Sequence, residues 1–351
     1  MTPVAARVDV HTHLFPRELA SPFDTGASSG LPELRLRADG GGEILLGGRT
    51  FRPVSAVSWD PARRIERMDK EGIDVQVLSP VPVTLIGGAP ATIAARWARR
   101  QNELLAEIAR GHGGRFVALG MVAMQQVDDA IAELEYAVTQ LRLPGVEIGT
   151  HCAGLELDDE RLRPFFAAAQ SLDAALFVHP TDGGGAIRRA GRPFEFGLGM
   201  LTDTAMAATA LVFGGVLERF PSLRIALAHG CGTFAWSLPR LVRGAGIGGP
   251  PADGARIDEL VRSLWVDALV FDPAHLPLLV RRFGAEHVML GSDFPFYDRA
   301  WGSPAAVIEQ AANGGLITGS EASGMYGSNA LAFLAAGGTS TEQASTEKNT
   351  Q

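Results

Sequence analysis

Short apolar, β-branched runs alternate with longer amphipathic stretches along most of this 351-residue chain. That alternation limits the fold more than any other feature. Candidate strands are Val8–His11, Asp74–Ser79, Phe116–Val122, Gly145–Ile148, Ala174–His179, Leu223–His229, Leu264–Asp267 and His287–Gly291. Helical patterns fall at Pro61–Lys70, Ala91–Arg110, Val127–Leu141, Asp159–Ala169, Thr202–Phe220, Phe234–Arg243 and Pro273–Phe283. Strand and helix in alternation give βαβ units and a parallel sheet, and eight such units predict a (β/α)8 TIM barrel. The expected organisation is a single domain over 1–334.

The rhythm breaks once, between Leu14 and Ile73. Up to Trp59 this connection is rich in Gly, Pro and polar residues, including Gly40-Gly41-Gly42. A loop that long is functional or a small inserted unit. Glu43 to Arg52 reads as a hairpin, so a small β-rich insertion is expected over about 15–58. Thr181–Arg192, with Gly183-Gly184-Gly185, reads as a mobile active-site loop, and 335–351 as a disordered tail.

The strand ends carry the chemistry. His11 and His13 are two apart, and in a strand such residues point to one side. Neutral imidazole is a common ligand of divalent metals, although the pair alone also fits two surface histidines near a terminus. Further along, strands end in His179, His229 and Asp293. Singly, these read as a turn residue, a helix cap and an N-cap. Barrel enzymes, however, place catalytic groups at the carboxyl ends of their strands. Four of the chain's eight histidines falling there point to one metal or acid–base site on one rim.

A formal charge of −8 argues against nucleic acid or an anionic membrane as partner. A small anionic substrate needs only one or two local arginines. Two distant cysteines, Cys152 and Cys231, make no disulfide framework and suit a reducing compartment. With no signal segment and no apolar run of membrane-spanning length read from the chain, the cytoplasm is the expected location.

The strand-end set resembles the amidohydrolase superfamily. Within its decarboxylase branch it resembles the α-amino-β-carboxymuconate-ε-semialdehyde decarboxylase family. Supporting phrases are Phe51-Arg52-Pro53-Val54, Trp59-Asp60-Pro61, Arg64-Ile65-Glu66-Arg67-Met68-Asp69, His229-Gly230-Cys231-Gly232-Thr233-Phe234 and Gly291-Ser292-Asp293-Phe294-Pro295-Phe296, and the likeness runs from Val8 to Leu334. It implies that His11, His13, His179 and Asp293 hold one divalent metal ion, usually Zn2+, with a water completing the coordination. It also implies His229 beside that water as acid–base, making His229 and Asp293 the catalytic pair. Arg52 would hold one substrate carboxylate, and Arg240 of the partner subunit in a homodimer the other. Tryptophan (kynurenine) or aromatic catabolism would be the setting.

Those roles suit the residue types. Three histidines and a carboxylate leave a metal position open for water. Histidine exchanges protons near neutrality, and arginine grips carboxylates through its planar fork. His151, after the fourth strand, and Phe296 are further candidates for substrate contact. Glu147 stands where some members carry a bridging carboxylated lysine, and the lack of that lysine favours a mononuclear site. The basic, tryptophan-free loop 181–192 departs from the family pattern. The expected activity is non-oxidative decarboxylation of a small unsaturated or aromatic carboxylate. Metal-dependent hydrolysis of a C–C, ester or amide bond is the alternative, and a non-catalytic barrel a third.

Overall fold

The computed structural model describes residues 6–24, 30–181, 185, 187–191, 193–296 and 303–335. The expected disordered tail, apart from Ala335, lies outside these residues, as do positions 182–184, 186 and 192 of the expected mobile loop.

Eight strand positions form the barrel: β1 (Val8–Leu14), β2 (Val75–Pro80), β3 in two pieces (Phe116–Ala118 and Gly120–Met121), β4 (Gly145–Gly149), β5 (Ala175–His179), β6 (Arg224–Leu227), β7 (Trp265–Asp267) and β8 (Val288–Met289). Neighbours pair in parallel from β1 through β3 and from β3 through β8. The last strand returns to the first: Val10 N–H donates to Leu290 O at 2.9 Å, and Thr12 bridges Phe294 in parallel.

Side-chain alternation explains the layering. Ala175 and Phe177 join Val77, Leu119, Ala226 and Met289 in the barrel interior. Leu176 and Val178 face outward with Ile225, Leu227 and Val266, packed among helical residues such as Phe165, Leu211 and Leu276. The same period-2 rule carries His179 to the inner side. On β1 the register slips by one residue between Asp9 and Thr12. Such a bulge re-aims side chains. It lets Val10 join the inner cluster while His11, the next residue, also reaches the inside, its ring 5.1 Å from that of Phe177.

Some expected elements differ. The helix expected over Thr202–Phe220 is two, Met200–Phe213 and Val216–Arg219. They break at Gly214-Gly215, where Gly215 takes φ 81° and a Cβ on Gly214 would lie 2.2 Å from Asp158 Cβ. The third strand breaks at Leu119, and the eighth keeps only Val288–Met289 in its ladder. Contrary to the sequence reading, one helical stretch among the described residues, Glu195–Phe213, has the length and apolarity to cross a membrane. Its Ala207, Ala208, Leu211 and Val212 pack into the outer core.

Between β1 and the helix Pro61–Glu71 lies an antiparallel sheet of three strands, Pro32–Leu36, Gly42–Leu46 and Arg49–Val54. The expected hairpin is its second half, turning at Gly47-Gly48 with φ 54° and 74°, the geometry of a tight two-residue turn. Ile44 and Leu45 are buried, and Ile44 packs with Phe15, Leu19 and Trp97.

Candidate metal centre

Among the described residues, His11, His13, His179 and Asp293 bring one potential ligand atom each to within 4.8 Å of one another, all four residues buried. The Nε2 atoms of His11 and His13 are 3.1 Å apart, and Asp293 Oδ1 lies 3.0 Å from His13 Nε2 and 3.6 Å from His11 Nε2. Asp293 sits in a left-handed bend, φ 57°, with its N–H bonded to His11 O at 2.8 Å. That bond ties it to β1.

The other ring nitrogens explain what this cluster is for. His13 Nδ1 donates to Pro80 O and His179 Nδ1 to Pro180 O, each at 2.7 Å. A carbonyl only accepts, so those nitrogens carry the proton and Nε2 presents a lone pair. His11 Nδ1 meets Asp267 Oδ2 at 2.7 Å. His179 Nε2 and Asp293 Oδ1 have no hydrogen-bond partner despite being buried. Burial pushes the pKa of His13 and His179 down. Burial opposes ionisation of Asp293, but the facing rings of His13, His229 and His11 hold its carboxyl well below the ordinary range. Buried lone pairs aimed at one another are costly unless a cation lies between them. Three neutral imidazoles and one carboxylate fit one divalent metal ion.

His229 stands beside this set. Its ring lies 5.2 Å from that of His11 and 5.1 Å from that of His179, and its Nε2 is 3.9 Å from Asp293 Oδ2. It begins a run of left-handed residues, His229, Gly230, Cys231 and Gly232, with φ between 57° and 64°. At Gly232 a Cβ would stand 2.0 Å from Leu201 O, so glycine is obligatory there.

Two buried charges were missed as site residues. Asp267 ends β7 and accepts from His11 Nδ1 and from the backbone N–H of His229, Gly230 and Leu269. The strand-end rule that found the histidines would have found it. Arg64 lies on the helix Pro61–Glu71, whose start is capped by Asp60. It is wholly buried, donating from Nε to Val57 O at 3.1 Å and from Nη1 to Thr12 Oγ1 and Gln76 Oε1 at 3.1 and 3.2 Å. Its Nη2 bonds to His13 O. A charged residue on an otherwise polar helix gives no such signal.

The remaining candidates divide. Phe296 stacks near the centre, its ring 5.7 Å from that of His13, and the Arg52 guanidinium lies 4.4 Å over Phe296. An adjoining cavity of about 520 Å³ is lined by Arg37, Gly41, Val54, Ser58 and Phe296 among others. Arg240 is exposed on the helix Phe234–Ala245, one turn from Trp236, which is 83% exposed. His151 is exposed on a two-stranded hairpin, His151–Cys152 with Leu155–Glu156, outside the cluster. Glu147 is fully buried with Oε2 3.7 Å from His13 Nδ1, and burial, then the charge of Asp293, raises its pKa well above the ordinary range.

Residues 8–335 match the family described as Amidohydrolase. The chain is 32% identical over 295 residues to the 2-amino-3-carboxymuconate-6-semialdehyde decarboxylase of Dictyostelium discoideum, spanning 83% of this chain and 82% of that one. Its structure resembles 5-carboxyvanillate decarboxylase from Sphingomonas paucimobilis with a TM-score of 0.77 and 25% identity, over 94% of this chain and 98% of the other. A dihydroxybenzoic acid decarboxylase from Polaromonas, solved with manganese, shares the fold with a TM-score of 0.72 at 21% identity, over 94% and 96%. The chain belongs to the amidohydrolase family and is a carboxy-lyase of that superfamily.

Proposed function

We propose that the protein is a metal-dependent, non-oxidative decarboxylase acting on 2-amino-3-carboxymuconate-6-semialdehyde or a close unsaturated or aromatic analogue. One observation carries this reading. Two imidazoles whose Nδ1 protons are committed to carbonyls, a third held by Asp267, and one carboxylate converge on one point, with the His229 ring alongside. His11, His13, His179 and Asp293 would hold the ion, and the nitrogen-rich set suits Zn2+. Bound there, a divalent ion supplies positive charge that offsets the negative charge developing on the substrate.

The residues of the chain do the rest. His229 delivers a proton to the carbon that bears the departing carboxylate. The C–C bond to that carboxylate then breaks, its electron pair restores the conjugated system, and CO2 leaves. One proton is consumed per CO2 formed, and His229 recovers it from solvent. Phe296 offers a flat apolar face beside His13 for a planar substrate. Arg52, poised over that ring, grips one substrate carboxylate.

Arg240 of the partner subunit grips the other carboxylate in a homodimer. Exposed Trp236 beside it, with Ile247 (84% exposed) near the end of the same helix, favours burial of that face against a second copy. The two free, buried cysteines suit the cytoplasm. Metal analysis with product analysis tests the reading: CO2 equal to substrate consumed, without incorporation of water, is expected. A product containing added water would mean a hydrolase instead. His229→Ala should abolish turnover yet retain metal, and loss of the metal as well would refute the role of His229.

A further inference from the structure

We infer that Asp267 is a positioning residue that locks the metal-holding His11 and the acid–base His229 into one geometry. Both are held by the same atom. Asp267 Oδ2 accepts from His11 Nδ1 at 2.7 Å and from the His229 backbone N–H at 2.8 Å. Its other oxygen accepts from the N–H groups of Gly230 and Leu269 at 2.9 and 3.0 Å. The carboxylate is completely buried, and every one of these partners is a donor.

The need for such a clamp lies in the backbone. From His229 to Gly232 each residue has positive φ, a conformation that costs free energy for residues with a Cβ and persists only where the surroundings impose it. Within that run Cys231 N–H finds Ala228 O and Gly232 N–H finds His229 O. The N–H groups of His229 and Gly230 find Asp267. The carboxylate therefore sets where the His229 side chain leaves the rim, and it also fixes the rotation of the His11 ring. A carboxylate on the far nitrogen of a metal-holding histidine orients the ring and raises its basicity. Here one group does that and also aims the proton donor. Asp267 has no part in proton transfer, since its oxygens are engaged by His11 and by backbone amides.

Asp267→Asn tests this at nearly constant volume. An amide nitrogen at either oxygen position faces two donors, so two of the four hydrogen bonds are lost in either orientation, and a neutral amide oxygen holds the His11 ring more weakly than a carboxylate. With the metal-free wild type and variant, Zn2+ titrated against a chromogenic chelator should bind tenfold to a hundredfold more weakly in the variant. At saturating Zn2+ its kcat should stay at least tenfold below wild type, with a displaced pH profile.

Unchanged Zn2+ affinity overturns the inference. So does a kcat and pH profile restored to wild type by added Zn2+, the behaviour of a residue that merely supports the fold. If Asp267→Asn does not fold, amide hydrogen exchange in the metal-loaded wild type decides. The His229 and Gly230 amides should exchange as slowly as the barrel strands, and exchange at open-loop rates would refute the clamp. The turnover arm rests on the decarboxylase reading. Should the enzyme prove to run another reaction, that reading fails while the Zn2+ and exchange measurements still judge Asp267.

Discussion

The guanidinium of Arg64 bonds to the backbone carbonyl of His13, the second of the two histidines that β1 brings to the cluster. The same side chain holds Thr12 Oγ1, Gln76 Oε1 and Val57 O and stacks 4.8 Å over Phe294, the neighbour of Asp293. Burial lowers its pKa to about 9, which keeps it a cation at neutral pH. One cation from an outer helix thus ties together the strand and the bend that carry three of the four cluster residues.

Replacing that cation strands its acceptors. Arg64→Met should destabilise the protein by about 3–5 kcal/mol, since each buried acceptor left unpaired costs about 1–3 kcal/mol. Denaturant unfolding at pH 7 measures the loss. Zn2+ affinity should fall with it, because the His13 carbonyl loses its tether. A variant of wild-type stability would show the network to be energetically idle.

Metal removal should be visible in stability. An ion that binds only the folded chain stabilises it by about 2.7 kcal/mol at a hundred times its Kd. Stripping with a chelator should lower Tm, and Zn2+ or Mn2+ should restore it. In His179→Ala, which removes one of the converging ring nitrogens, added metal should raise Tm far less.

Arg240 gives a test in trans. Arg240→Ala and His229→Ala should each be inactive alone as homodimers. Refolded or coexpressed together, random pairing makes half of the dimers mixed, and in those one of two symmetric sites has both its own His229 and the partner's Arg240. About a quarter of wild-type activity should return. Absence of recovery while mixed dimers are demonstrably present would place Arg240 in its own chain's site or outside the reaction.

Arg52→Lys keeps the charge but loses the planar fork. It should raise KM about tenfold or more with a smaller change in kcat, in line with the role of orienting a carboxylate. Steady-state kinetics measure the split. An unchanged KM would remove Arg52 from the substrate site.

Asp9 gives a pH test. Burial raises its pKa from the ordinary 3.8 to about 7, against the hydrogen bond from Ser292. A group whose folded pKa is raised stabilises the fold fully below 3.8 and loses that contribution as pH climbs to about 7. Over that window the wild type should lose at most about 4 kcal/mol relative to Asp9→Asn. Unfolding free energies of both proteins between pH 4 and 8 check the sign: the difference must move in favour of the variant as pH rises.

Periodicity alone determined the strand and helix alternation, hence the barrel, because burial on both faces of a parallel strand demands short apolar runs. Rim position alone picked out His11, His13, His179, His229 and Asp293, since strand ends are where such a barrel exposes chemistry. Local pattern could not show what depends on distant segments meeting. The bulge that brings His11 inward exists only in the pairing of β1 with β2. The left-handed run at His229 is held by Asp267, 38 residues further on, and Arg64 is buried because its helix packs over β1. Which nitrogen of each histidine faces the centre of the cluster was decided by carbonyls and a carboxylate that tertiary packing supplied, because a hydrogen bond to Nδ1 leaves only Nε2 free to bind a metal ion.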